Sequence, residues 1–296
     1  MSSLSSQQLQ SVISQIDQAI SSHDHWYKQL LRVLIAHIPP ESVDLSPDAH
    51  RRCHFGTWYA SSKADFFRDH PAFVSLGDAH QKMHDCARAL CQHVVNDMPV
   101  SLDSWERFDE KVEDVRLEFQ ALRREFVDMV QSLDPLTEAL NRSSLLADLR
   151  AQQALLMRSG TPCTLIMIDL DHFKRVNDDH GHVAGDTVLV SIVQCLKTML
   201  RPYDRIYRYG GEEFLLSMPG TTPEQATQVA ERMRATVSTL KVRLNSSDRE
   251  LHVTASFGIA PLLSNRTVEE SIDHADKAMY SAKTAGRDRV VVVDSQ

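Results

Sequence analysis

Arg208-Tyr209-Gly210-Gly211-Glu212-Glu213-Phe214 lies between two short apolar runs, Ile206 to Tyr209 and Phe214 to Met218. Flanked in this way, the stretch reads as a β-hairpin whose tight turn carries Gly210 and Gly211 where positive φ is required. Two carboxylates, Glu212 and Glu213, leave the turn together. Glycine lets a substrate phosphate approach the backbone, whereas adjacent acids repel that phosphate unless divalent cations lie between them. The stretch therefore points to a metal and nucleotide site. A solvated hairpin tip has the same spacing, so the flanking sequence decides.

From residue 134 onward the pattern alternates between strand and helix. A strand from Cys163 to Leu170 precedes helical stretches near Phe173 and from Val183 to Leu200. Beyond the hairpin come a helix from Pro223 to Leu240, a strand from Leu251 to Ala260, a helix from Val268 to Thr284 and a strand from Arg289 to Val293. This alternation predicts an α/β domain, a central sheet with helices packed on it. Asp169 and Asp171 close a fully apolar strand. An acid there, beside a hairpin bearing Glu212 and Glu213, suits Mg²⁺, which takes oxygen ligands; a strand-end turn or helix cap uses the same residue. Lys174 follows a turn later. Lys283 and Arg287 either complement a helix dipole or hold a polyphosphate.

At 296 residues, with 42% hydrophobic and 24% charged positions, the chain can form two domains, each with its own core. A net charge of -8 argues against nucleic-acid binding, which usually uses a basic face. No apolar run approaches the roughly 20 residues of a membrane span, and the polar start lacks a secretory pattern. The five cysteines show no disulfide-like spacing. A cytoplasmic protein with no membrane partner is expected.

Nine of the fourteen histidines precede residue 100. Apolar residues recur at helical spacing from Leu9 to Ile20 and from Trp26 to Ile38, where Pro39-Pro40 ends the run, then around Gly56 to Phe67, Phe73 to Val95 and Trp105 onward. The pattern predicts a helical bundle. His80 and His84, four apart, share one helical face and can reach one metal. No glutamate follows His80, which disfavours a hydrolytic zinc site. A closed site takes about four ligands. His23 and Cys53 could supply the other two, with His25 and His54 as competitors. The segments around His23, Cys53-His54-Phe55-Gly56-Thr57-Trp58 and Ala79 to His84 resemble the chemoreceptor zinc-binding family, a helical bundle that holds one Zn²⁺ by three histidines and a cysteine. The resemblance implies His23, Cys53, His80 and His84 as ligands.

Val112, Val115, Phe119, Leu122, Phe126, Met129 and Leu133 follow at alternating steps of three and four. Such a seam is either the last bundle helix packed on its own domain or a coiled coil joining two subunits. Asp134-Pro135 stops the helix.

The second half is similar to the GGDEF family of diguanylate cyclases. The blocks that carry the likeness are Asp134-Pro135-Leu136-Thr137 with Asn141-Arg142, Ile168 to Lys174 with Asn177, Gly181-His182 through Gly185-Asp186, Gly210 to Phe214, and Lys283 to Arg287. That family joins two GTP into cyclic di-GMP with release of two pyrophosphates. The resemblance implies two Mg²⁺ per active site on Asp169, the Leu170 carbonyl, Glu212 and Glu213. Glu213 is expected as ligand or proton acceptor, and Lys174 as a catalytic cation. Asn177, His182, Asp186, Gly210, Gly211, Lys283 and Arg287 are expected to bind GTP. One domain holds one GTP, so a homodimer through the bundle and coiled-coil connector is implied. The resulting organisation is a zinc-binding sensory and dimerisation domain over 1–128, a connecting helix over about 105–133 and a cyclase domain over 134–296.

Arg201 and Asp204 resemble the Arg-x-x-Asp product-inhibition site of the same family; a surface ion pair would read alike. The expected protein is thus a signalling enzyme, of the kind tied to biofilm formation, regulated by inhibitory zinc and by its product. The alternative is a catalytically silent module that binds GTP or cyclic di-GMP beside a structural zinc domain. Such modules usually lose the signature acids, which here are all present.

Overall fold

A capping box at Ser5 starts α1 (Ser6–Ala36): Ser5 Oγ accepts from the Gln8 amide at 3.2 Å while Gln8 Oε1 accepts from the Ser5 amide at 2.9 Å. The computed structural model describes residues 5–61, 67–244 and 250–293, which form two compact units parting between Val130 and Gln131. The two expected helical runs of the first unit, Leu9 to Ile20 and Trp26 to Ile38, are one helix. No glycine or proline stands between them to break it. It is followed by α2 (Ala49–Arg52), α3 (His54–Tyr59), α4 (Pro71–Val95) and α5 (Leu102–Gln131). The helix expected around Gly56 to Phe67 is met by α3, and residues 62–66 lie outside the described residues.

Val115, Phe119, Leu122 and Phe126 of the α5 seam are buried inside this unit, while Met129 is 38% exposed. Phe119 packs against the rings of His23 and Phe55, at centroid distances of 5.7 and 5.0 Å. These four seam positions thus serve the bundle itself. Arg123 and Arg116 also fasten α5 to α1, reaching Asp17 at 2.6 Å and Asp24 at 3.2 Å. Exposed pairs of this kind are screened by water and contribute little, so the buried rings dominate.

The second unit contains α6 (Arg142–Ser159), β1 (Cys163–Leu170), α7 (Phe173–His180), α8 (His182–Lys197), β2 (Arg205–Arg208), β3 (Glu213–Pro219) and α9 (Pro223–Thr239). A ribbon of β4 (Val242–Arg243) and β5 (Glu250–Leu251) follows, then β6 (Ala255–Pro261), α10 (Val268–Thr284) and β7 (Val290–Val292). The sheet order is β2-β3-β1-β6-β7. Central β1 runs antiparallel to β3 and β6, and β7 joins β6 in parallel.

Every residue of β1 is buried because helices cover both sheet faces. Ile166, Ile168 and Leu170 alternate onto the face packed by Val188, Ile192, Met233 and Val237, whereas Leu165 and Met167 face Leu145, Leu149, Ile272 and Met279. Helix α6 is absent from the sequence reading. Its leucines form no single stripe, but its end signals are clear. Asn141 accepts from the Ser143 and Ser144 amides at 3.1 and 3.3 Å, and Gly160 closes the helix at φ 69°. The strand expected over Leu251 to Ala260 divides into β5 and β6.

Gly258 of β6 lies against α10. A Cβ there would meet Met279 N at 2.1 Å and Ala275 O at 2.2 Å, backbone atoms that cannot swing aside. Gly258→Ala should therefore cost about 3 kcal/mol by overpacking, read as a lower denaturant midpoint. An unchanged midpoint would show that strand and helix separate without penalty.

Candidate active site and metal centre

Asp169, next to last in β1, sits directly opposite Glu213, first in β3. Residues so paired in an antiparallel ladder have Cβ atoms about 5 Å apart, so two carboxylates meet at one sheet end. The connecting turn is longer than the two-residue turn expected. Tyr209 and Gly210 both donate to the Glu213 carbonyl, at 2.9 and 3.2 Å. Neither Gly210 nor Gly211 adopts the left-handed region, which corrects the sequence reading; a four-residue connection can close without it. Gly210 leaves room for the Glu213 carboxylate, because a Cβ there would come within 2.4 Å of Glu213 Oε2 and displace that side chain. The Leu170 amide donates to the Glu212 carbonyl at 3.4 Å, drawing the second glutamate to the end of β1.

Lys283 Nζ lies 2.6 Å from Asp169 Oδ2. Burial pushes the Asp169 carboxyl above the ordinary carboxylate range, and Lys283 only partly opposes this. Glu212 and Glu213 are also raised, by burial first and by the Asp169 charge second. A cluster of mutually repelling, half-buried acids favours cations. Asp276 adds to the crowding and was missed from sequence, although it stands two helical turns before Lys283 on the same face of α10.

Arg208 frames the turn. Its guanidinium donates to Asp134 at 3.0 and 3.2 Å and to the Gly211 carbonyl at 3.2 and 2.9 Å. Burial alone would raise the Asp134 carboxyl, but hydrogen bonds from Thr137 and Arg208 outweigh it and hold it below the usual range. The Arg142 guanidinium stacks over the Tyr209 ring, 4.7 Å from its centroid.

The other expected residues are spread around these acids. Lys174 and Asn177 ride on α7, His182 and Asp186 on α8. Gly185 leaves room for the Asn177 amide, whose Oδ1 lies where a Cβ would come within 2.0 Å. Arg287 is exposed, on the turn after α10. Asp171 is turned to the protein, accepting from Thr254 Oγ1 at 2.6 Å, Ser256 Oγ at 2.7 Å and the Asp288 amide at 3.0 Å. Arg201 and Asp204 precede β2, whereas the acids follow it, so about 13 Å of strand separates them. Buried Asp204 accepts from the Arg201 amide at 2.8 Å, leaving the exposed arginine side chain out of that bond. A cavity of about 390 Å³ between α6 and the β2–β3 edge includes none of these acids.

In the first unit, the ligand atoms of His23, Cys53, His80 and His84 all lie within 4.8 Å of one another. His23 Nε2 and His80 Nε2 are 2.9 Å apart, and Cys53 Sγ is 3.3 Å from His80 Nε2. His25 and His54 are exposed and lie outside the group. Helix α1 brings His23, the start of α3 brings Cys53, and α4 brings the pair. Gly56 permits this meeting, because a Cβ there would be 1.9 Å from the His50 carbonyl oxygen. Burial lowers the pKa of His23, His80 and His84, that of His84 to about 3, so the rings are neutral donors. His84 Nε2 is buried without a hydrogen-bond partner. Three neutral imidazoles and a thiol, one nitrogen orphaned, fit a tetrahedral Zn²⁺.

Comparison with known proteins finds two families along the chain. Residues 131–289 match the diguanylate cyclase GGDEF domain, and residues 23–91 match the chemoreceptor zinc-binding domain. Diguanylate cyclase DgcP of Pseudomonas aeruginosa is 39% identical over 185 residues, covering 62% of this chain but 27% of that protein. Diguanylate cyclase DgcZ of Escherichia coli is 27% identical, covering 98% of this chain and 96% of that one. Among solved structures, the coiled coil and GGDEF domain of DgcB from Caulobacter crescentus in complex with c-di-GMP superposes with a TM-score of 0.58 at 28% identity, covering 62% of this chain and 98% of that one. Diguanylate cyclase SiaD of Pseudomonas aeruginosa, in complex with its activator SiaC, gives a TM-score of 0.56 at 33% identity and covers 80% of this chain and 95% of that one.

Added Zn²⁺ should raise the unfolding temperature of the wild-type bundle, by about 2.7 kcal/mol of stability at a hundredfold excess over Kd. Cys53→Ala and His80→Ala should abolish the rise, and His25→Ala should leave it intact. A rise that survives Cys53→Ala would place the metal elsewhere.

Proposed function

Because the chain belongs to the diguanylate cyclase GGDEF-domain family, we propose that it condenses two GTP into cyclic di-GMP and that zinc on its first unit regulates the reaction. The observation that carries the reading is the convergence of Asp169, Glu212 and Glu213 at one end of β1, with Lys283 beside them. The 3′-hydroxyl of one GTP attacks the α-phosphate of the other. A 3′-oxygen–phosphorus bond forms, the bond to pyrophosphate breaks, and the hydroxyl proton leaves to a base. The step occurs twice, closing the ring and releasing two pyrophosphates. Positioning and charge neutralisation supply most of such a rate.

In this proposal Asp169, the Leu170 carbonyl, Glu212 and Glu213 hold two Mg²⁺, which supply charge neutralisation at the phosphates. The raised carboxyl of Glu213 also suits it to accept the hydroxyl proton. Lys174, Lys283 and Arg287 hold the β- and γ-phosphates, with Lys283 shared between Asp169 and the nucleotide. Asn177 and Asp186 read guanine, His182 borders the base, and Gly210 and Gly211 admit the phosphates to the backbone. Asn177 is supported in that role by its place against Gly185, which leaves room for its amide.

Two active domains face one another in a homodimer, since each holds one GTP. The bundle and α5 join the subunits through surfaces that the buried seam leaves free; Leu117, 56% exposed, belongs to such a surface. One Zn²⁺ per bundle, on His23, Cys53, His80 and His84, lowers the rate. Product binds at Arg201, whose guanidinium the Asp204–amide bond leaves available for a phosphate.

With Mg²⁺ and GTP the purified chain should yield cyclic di-GMP, identified by mass, at a rate that zinc depresses and a chelator restores. Glu213→Gln should lower kcat by at least about a hundredfold while the protein still melts as wild type. GTP binding without product in the wild type would overturn the proposal.

A further inference from the structure

Asp171 directly follows the strand that carries Asp169, yet both of its oxygens are committed to the protein. Oδ1 accepts from Ser256 Oγ, and Oδ2 accepts from Thr254 Oγ1 and from the Asp288 amide. The side chain is buried. A carboxylate satisfied in this way is an anchor for chain segments rather than a free metal ligand. The segment that it anchors has an unusual backbone. Gly286, Arg287 and Asp288 all have positive φ, at 113°, 59° and 43°. Successive left-handed residues other than glycine are disfavoured and persist only where their surroundings hold them.

The hold comes from two sides. Asp171 takes the amide of Asp288, and Arg234 of α9 takes its carboxylate at 2.9 Å. Between the end of α10 and the start of β7 only residues 285–289 intervene, and Arg287 is at their centre. The direction in which its guanidinium leaves the turn is set by the torsions that these two contacts fix.

We infer that Asp171, seated on the Thr254 and Ser256 hydroxyls, is a positioning residue for Arg287: it locks the turn that aims this arginine at the nucleotide's terminal phosphates. The inference rests on the reading of Arg287 as a phosphate ligand. It explains why two acids close β1 with different duties. Asp169 faces Lys283 and the two glutamates, while Asp171 fastens β1, β6 and the turn into one frame.

The test is steady-state kinetics of the full chain with Mg²⁺ and GTP, for T254V and S256A singly and together, for T254S, and for each combined with R287A. The double variant should raise KM for GTP about tenfold with kcat within about twofold, the pattern of lost ground-state binding. T254S, which keeps the hydroxyl, should restore the wild-type KM. In the R287A background, removal of the hydroxyls should add less than about twofold, because both changes act through one side chain. Hydrogen exchange at the Asp288 amide should quicken in T254V and D171N and not in T254S. An equal rise in KM with and without Arg287, or unchanged exchange at Asp288, would overturn the positioning role while leaving Arg287 as a ligand. An R287A protein with wild-type KM would instead remove the phosphate assignment, and the inference with it.

Discussion

Opposite pairing of Asp169 and Glu213 across β1 and β3 is the constraint from which the site follows. Strand register places two carboxylates side by side, the Leu170–Glu212 bond brings a third, and burial keeps all of them above the ordinary carboxylate range. A fold would not assemble such repulsion at a sheet end for stability, since like charges this close oppose one another. Lys283 offsets part of it, and divalent cations of the kind proposed above would neutralise the rest. The frame is correspondingly stiff. Arg208 fixes the turn to Asp134, and Asp171 fixes β1 to β6 and to the turn before β7.

The first unit solves a different electrostatic problem. Three imidazoles converge among Trp26, Phe55 and Phe119, where protonation is disfavoured by burial and by one another. Burial among these rings thereby keeps the imidazole donors neutral. His23 also makes a 2.8 Å contact from Nδ1 to the Ala19 carbonyl, which leaves Nε2 pointing to Cys53 and His80. Phe55 and Phe119 also belong to the core of the bundle, so a metal bound at this group would be coupled to bundle packing.

Much of this was legible in the sequence, and the failures have physical causes. The eight-residue run to Leu170 read as a buried strand because every position before the acid except Thr164 is apolar, and β1 has those bounds. His80 and His84 read as a pair because a helix returns to the same face after four residues. Gly210 and Gly211 misled: glycine in a hairpin signals positive φ, whereas here one glycine provides room for Glu213. Helix α6 was overlooked because its apolar residues do not fall on one stripe, though its cap at Asn141 was visible. The α5 seam read in favour of a coiled coil, since intramolecular and intermolecular partners ask for the same heptad, whereas four of its positions are buried in the bundle. Asp171 could not be told from Asp169 by type or position, because only the three-dimensional structure brings Thr254, Ser256 and Asp288 to it.

Under the proposed function, the acids at the end of β1 hold divalent cations together with GTP. Electron paramagnetic resonance of Mn²⁺, titrated into the full chain with a non-reactive GTP analogue, tests it without turnover. The account predicts Mn²⁺ bound to the protein–nucleotide complex beyond what the analogue alone retains, and loss of that binding in Asp169→Asn and Glu212→Gln. Binding that is indifferent to both substitutions would contradict it.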